Sequence, residues 1–209
     1  MTARIVVLGL GNTILTDDGA GIYAVRRLRE MLEGGQEASL SADLSAPAAG
    51  ADTLRLARAP VTIKEASLAG FNLLDLVVGF DVLLLVDAMK SSQAEVGEVC
   101  QLAPGSLEPT LRLSSIHGIN LATALEFGRT MGWKMPDVIE IYVIVAQDTE
   151  TFGEGCTVPV AAAVPRAAEI LRERVEFFLD GFPSFPAPST KDTSEGGPKT
   201  DAGPSATTG

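Results

Sequence analysis

The chain has 209 residues, is 46% hydrophobic and carries a formal net charge of −11 at pH 7. These values suit one domain with a sizeable core and argue against a nucleic-acid partner, which would require clustered Lys and Arg. Cys100 and Cys156 are too few for a disulfide framework or a zinc knuckle, and no apolar run approaches the roughly 20 residues that span a bilayer. We therefore expect a cytoplasmic protein without a signal peptide or membrane segment.

The amino-terminal segment reads as a strand followed by an amphipathic helix. Residues 5–8 are a continuous apolar run, typical of a strand buried on both faces of a parallel sheet. The helix is predicted over 21–32, where Ile22, Val25 and Leu28 recur at near-helical spacing.

The turn between this strand and helix carries the first chemical signal. Gly9 and Gly11 let the backbone approach whatever lies above the strand. The spacing fails the dinucleotide fingerprint, because the third glycine would fall at Ile14 and a pyrophosphate would face two acids. Asp17 and Asp18 precede the helix, where a carboxylate can cap the first amides and is stabilised by the dipole. A single acid here is usually a cap, whereas two acids in a glycine-rich loop also suggest a site.

The rest of the chain alternates predicted strands and helices. Residues 36–59 are mostly irregular, with either a short helix or a short strand over 53–59. The strand over 97–102 is expected to be antiparallel or at an edge, whereas 81–87 and 138–146 are apolar enough to be central. The remaining predictions are a strand over 61–64, helices over 71–78, 121–132 and 158–179, and a polar loop over 147–156. This alternation predicts a three-layer α/β/α domain with a mostly parallel sheet.

The composition changes after Asp180. Residues 181–209 are rich in Pro, Gly, Ser and Thr and contain almost nothing apolar. Such a segment cannot bury enough surface to offset its ordering entropy. We therefore predict a single domain over 1–180 and a disordered tail over 181–209.

Three residues are candidates for a site by their position. Asp18 lies in the loop after the first strand, Asp87 closes the clearest central strand, and His117 precedes a helix. The carboxyl ends of parallel strands meet at one edge of a sheet, and a loop entering the next helix can bring His117 there. Two carboxylates and one imidazole form an incomplete ligand set, which would bind a free transition metal weakly.

Other interpretations of these residues remain open. Asp87 could simply cap the turn that follows it, and a lone histidine is more often structural or exposed than a ligand. Ser114 and Ser115 are not in a Gly-x-Ser-x-Gly elbow and lie too near His117 in sequence for an obvious catalytic pairing. Cys100 lies inside a predicted strand and is expected to be inert.

Four segments, taken in order, resemble the nickel–iron hydrogenase maturation endopeptidases. They are VLGLGNTILTDDGAG at the amino terminus, EASLAGFNLLDL at the second strand and helix, DVLLLVDAM at the central strand, and LSSIHGINL around a Ser-x-His. Each motif alone is weak, but the four in the family's order and spacing are specific, and the similarity covers residues 4–179.

The resemblance implies a specific activity. Enzymes of this family remove a carboxyl-terminal extension from the precursor of the hydrogenase large subunit after nickel has been loaded. Their metal-contacting residues correspond here to Asp18, Asp87 and His117, with Asp17 as a cap or an acid behind the site. The nickel would be supplied by the precursor, and the enzyme, expected to be a monomer, would hold no tightly bound metal. Either the nickel or an aspartate would activate the attacking water.

The residues alone also allow a second function, in which the protein binds a ligand and is not a protease. The same sheet edge could bind a small ligand or a divalent ion in a non-proteolytic α/β protein. Processing of a nickel-loaded precursor by the purified chain discriminates the two. A dehydrogenase is disfavoured, because the acids near Gly11 would repel a dinucleotide.

Overall fold

The computed structural model describes residues 3–34, 52–55, 60–67, 70–102 and 121–181. The strands are β1 (Ile5–Leu10), β2 (Asp52–Arg55), β3 (Pro60–Ala66), β4 (Val82–Met89), β5 (Val99–Leu102) and β6 (Val138–Val145). The α-helices are α1 (Ala20–Gly34), α2 (Leu74–Val77), α3 (Leu121–Thr130) and α4 (Val158–Asp180), and 3-10 turns over Thr16–Gly19 and Gly70–Leu73 precede α1 and α2.

The described strands form one six-stranded sheet in the order β2-β3-β1-β4-β6-β5. The inner strands β3, β1, β4 and β6 are parallel to their inner neighbours, whereas β2 and β5 run antiparallel at the two edges. The predicted mostly parallel α/β sheet is therefore confirmed, as are the central position of β6 and the antiparallel edge position of β5. Part of 53–59, which the sequence left undecided, is the edge strand β2.

Helices cover both faces of the sheet, which confirms the three-layer architecture. Because side chains alternate along a strand, Ile5 and Val7 of β1 pack in one core with residues of α1 and α4. Val6 and Leu8 point to the opposite core, which α2 and α3 complete. None of the described helices is long and apolar enough to cross a bilayer.

Two predicted element boundaries need correction. The prediction that Asp87 ends its strand is wrong, because β4 continues to pair with β6 as far as Met89↔Val145. The helix expected over 71–78 is α-helical only over Leu74–Val77, with the Gly70–Leu73 3-10 turn ahead of it.

The end of the described domain coincides with the end of α4. Phe178 is 3% exposed, and α4 ends at Asp180. Residues 182–209 lie outside the described residues, so the disordered tail stays a prediction.

Candidate functional site

A close contact brings the start of α1 onto the carboxyl edge of the sheet. A Cβ atom on Gly21 would collide with the carbonyl oxygen of Leu10 and would lie 2.5 Å from that of Val86. It would also lie 3.1 Å from the Cα atom of Asp87. Only glycine lets the helix approach both β1 and β4 so closely, since any side chain would push the helix away.

This contact places Asp18 and Asp87 at the same edge. Asp18 lies in the 3-10 turn Thr16–Gly19, which leads directly into α1, and it precedes Gly21 by three residues. Asp87 lies one residue beyond Gly9↔Val86, the last pair between β1 and β4. Both residues therefore lie at the carboxyl edge of the sheet, where the sequence placed them.

Both carboxylates are largely removed from solvent. Asp87 is 1% exposed and Asp18 is 9% exposed. The Oδ1 atom of Asp87 accepts a hydrogen bond of 2.8 Å from the backbone N–H of Ala88, as the capping interpretation allows. Because side chains alternate along β4, Asp87 belongs to the same face as Leu83 and Leu85, which pack in the core that α3 completes. Burying a charged group is costly, so buried carboxylates at the carboxyl edge of a parallel sheet favour a functional role.

The glycine-rich turn folds back onto the backbone of Asp18. Gly11 has a φ of +155°, and a Cβ atom there would collide with the carbonyl oxygen of Asp18. The N–H of Asn12 donates to the same oxygen at 3.2 Å, and the N–H of Asp18 donates to the carbonyl of Leu15 at 2.9 Å. Gly11 is therefore needed to hold the turn that carries Asp18 above β1.

The carboxylate of Asp17 binds the loop 147–157. Its Oδ2 atom accepts hydrogen bonds from the N–H groups of Gln147 and Asp148, each at 2.9 Å, and from the hydroxyl of Thr157 at 3.0 Å. Its Oδ1 atom accepts a 2.6 Å bond from the N–H of Thr157. Of the two roles that the sequence left open for Asp17, the cap is therefore not formed, because its carboxylate accepts bonds at the start of the loop and just before α4.

Further contacts join the two segments that Asp17 connects. They are an N–H bond from Asp17 to the carbonyl of Asp148 (2.9 Å), a hydroxyl bond from Thr16 to the carbonyl of Thr151 (2.7 Å), an N–H bond from Gly153 to the carbonyl of Ile14 (3.2 Å), and an antiparallel bridge between Leu15 and Phe152. The loop and the turn that carries Asp18 are thus one packed unit. The sequence indicated only a polar loop here, because contacts between distant segments leave no local pattern.

The third predicted site residue lies outside the described residues. His117 belongs to 103–120, and the helix that follows, α3, begins at Leu121. Among the described residues, no group of three or more His, Cys, Asp and Glu side chains is arranged to hold a metal ion. Asp18 and Asp87 supply oxygen ligands that suit a divalent cation, but they are only part of the predicted set.

Neither cysteine is a suitable nucleophile. Burial raises the pKa of the Cys100 thiol on β5. Burial, with a further contribution from Asp17, raises the pKa of Cys156 to about 11. Both thiols are therefore protonated at neutral pH and are poor nucleophiles. Ser114 and Ser115 lie outside the described residues.

Solved structures of hydrogenase maturation proteases share this fold. The hydrogenase maturating endopeptidase HybD from E. coli superposes with a TM-score of 0.59 at 25% identity, covering 83% of this chain and 93% of that one. A second endopeptidase structure from E. coli gives 0.54 at 23% identity, covering 84% and 91%. The [NiFe] hydrogenase maturation protease HybD from Thermococcus kodakarensis gives 0.56 at 22% identity, covering 82% and 98%.

The family assignment comes from the sequence itself. A search of curated proteins found no match. A model of the hydrogenase maturation protease family, HycI, matches residues 53–174, which is more than half of the chain. The matched region contains Asp87 and His117, and the E. coli HybD structure extends the likeness across most of the described fold. The chain therefore belongs to the hydrogenase maturation protease family.

Proposed function

We propose that this chain removes the carboxyl-terminal extension from the large-subunit precursor of a nickel–iron hydrogenase after nickel has been loaded. Family membership supports peptide-bond hydrolysis, and the precursor is the substrate that such a maturation protease requires. The observation that carries the proposal is that Asp18 and Asp87 both lie at the carboxyl edge of the sheet, where open α/β folds have their sites. The cytoplasmic location and monomeric state expected from the sequence belong to the same proposal.

In this proposal the nickel belongs to the substrate. Asp18, Asp87 and His117 contact the nickel that the precursor carries, and the precursor supplies the remaining ligands. Three ligands without a thiolate are a weak site for free nickel or zinc. A weak site suits an enzyme that senses whether its substrate has been loaded, because a metal held tightly by the enzyme would hide that difference.

Hydrolysis requires a water molecule to add to the peptide carbonyl and the C–N bond to break, with a proton passing to the leaving amine. A carboxylate at the site can take the proton of the attacking water, or the precursor's nickel can acidify that water. In both routes the carboxylates of Asp18 and Asp87 must be ionised and correctly placed.

The test uses the purified chain and two precursor preparations, one loaded with nickel and one without it. We expect mass spectrometry to show one new carboxyl terminus in the loaded precursor and no cleavage of the unloaded one. Asp87→Asn should abolish cleavage while the circular dichroism spectrum stays native. Equal cleavage of both preparations would show an ordinary peptidase. Cleavage of neither would favour the ligand-binding alternative.

A further inference from the structure

We propose that Asp17 is a positioning residue for the proposed cleavage reaction. Its carboxylate fixes the loop 147–157 against the 3-10 turn Thr16–Gly19 and thereby sets where the Asp18 carboxylate lies. This inference rests on the proposed function, since it assigns a role within the same site.

The first step of the argument is connectivity. Asp17 and Asp18 are adjacent in one short turn, so the backbone of one cannot move without the other. Asp17 is completely buried, and its side chain is bonded to residues 130 or more positions later in the chain. Its own N–H donates to the carbonyl of Asp148 at 2.9 Å, so the turn is held through both side chain and backbone.

The second step is that only a carboxylate suits these partners. The Oδ1 atom accepts from the N–H of Thr157, and two of the donors to Oδ2 are the N–H groups of Gln147 and Asp148. An asparagine in either orientation would direct its NH₂ group at one or more backbone N–H donors. Hydrogen bonds to an ionised acceptor are also stronger than neutral ones. Asp17→Asn therefore disrupts the junction although its shape is almost unchanged.

The third step is that the loop also contacts the residue directly after β4, the strand that carries Asp87. Lys90, which directly follows β4, forms a 2.9 Å ion pair with Glu150 of the loop. The N–H of Ala146, just before the loop, donates to the carbonyl of Met89 at 2.8 Å. The loop thus joins the two elements that bear the site carboxylates, and Asp17 holds its attachment to one of them.

The experiment compares Asp17→Asn with wild type on the nickel-loaded precursor, well below the unfolding temperature of each protein. We expect kcat to fall on the order of 10²-fold with KM nearly unchanged, the loss typical when a reacting group shifts by about 1 Å. Thr157→Val removes only the hydroxyl bond and should give a smaller loss, whereas Thr157→Ser keeps that hydroxyl and should restore wild-type kcat.

Asp81→Asn is the matched control at the opposite edge of the sheet. The Asp81 carboxylate also joins distant segments, accepting a 2.7 Å bond from the N–H of Arg4 and pairing with Lys134. This control should lower the unfolding temperature and leave kcat unchanged. If Asp17→Asn lowered only the unfolding temperature, as the control does, Asp17 would be merely structural and the inference would be overturned.

A second measurement does not depend on cleavage. Hydrogen exchange should become faster in Asp17→Asn at the amides of Gln147, Asp148 and Thr157, and also at Asp18, whose N–H is bonded to Leu15 within the turn. Unchanged exchange at Asp18 would overturn the inference even if wild type cleaved no precursor. Absence of cleavage by wild type, with faster exchange at Asp18 in the variant, would instead refute the proposed function and leave the positioning of Asp18 supported.

Discussion

Gly21 of α1 packs directly on Asp87 of β4, so that a Cβ atom at position 21 would lie 3.1 Å from the Cα atom of Asp87. The same atom would lie 2.5 Å from the carbonyl oxygen of Val86, which is backbone and cannot move aside as a flexible side chain could. The distance between the helix and the sheet at this edge therefore depends on the absence of one methyl group.

Gly21→Ala should destabilise the protein by about 1–3 kcal/mol, the usual cost of overpacking, and should reduce cleavage because α1 must move away from Asp87. Urea unfolding and the cleavage assay measure the two effects. Gly34→Ala, at the end of the same helix, is the control, because a Cβ atom there meets nothing within 4 Å. It should be neutral or slightly stabilising, and an equal loss in both variants would contradict the packing explanation.

Asp18→Asn should abolish cleavage while the protein remains folded. The amide keeps the size of the side chain but is a poorer metal ligand and carries no charge. Cleavage of the loaded precursor and far-UV circular dichroism are the measurements. Residual activity close to wild type would remove Asp18 from the proposed site.

The enzyme as purified should contain little metal, and His117→Ala should abolish both weak nickel binding and cleavage. His117 is the only histidine in the chain, so no second imidazole can replace it. The measurements are metal analysis of dialysed protein and calorimetric titration with nickel. A stoichiometric metal that survives dialysis would contradict the proposal that nickel is sensed in the substrate.

Asp81 should make folding stability sensitive to acid. Burial raises the pKa of its carboxyl, but hydrogen bonds from Lys134 and from the N–H of Arg4 outweigh burial, so the folded-state pKa lies below 3.8. A depressed folded-state pKa contributes stability above the unfolded-state pKa, and this contribution is lost as the pH falls through the folded-state value. The difference in unfolding temperature between wild type and Asp81→Asn should therefore be largest at neutral pH and should decrease below about pH 4. A difference independent of pH would contradict this assignment.

Truncation after Asp180 should leave thermal stability and cleavage unchanged. The last described helix ends at this residue, and Phe178 already completes its buried face. The residues beyond it have the composition of a segment that cannot form a packed core. Calorimetry and the cleavage assay check this prediction, and loss of folding would place the domain boundary further along the chain.

Local patterns in the sequence were enough to predict the class of fold and the edge of the sheet at which Asp18 and Asp87 lie. Long apolar β-branched runs such as 5–8 and 138–146 are stable only when a sheet is covered on both faces, which requires helices above and below it. The chain direction then brings the ends of β1 and β4 to one edge, so Asp18 and Asp87 follow from local pattern and topology alone.

The contacts of Asp17, and the packing of the loop 147–157 against the turn Thr16–Gly19, come from tertiary structure and could not be predicted from the sequence. The donors to the Asp17 carboxylate come from residues 130 or more positions away, and such pairings leave no periodicity in either segment. The same holds for Gly21. A glycine is required at this position because a Cβ atom would meet carbonyl oxygens of β1 and β4, and no pattern within α1 indicates this. Periodicity reports which face of an element is buried, whereas the partner that covers that face is set by packing between distant parts of the chain.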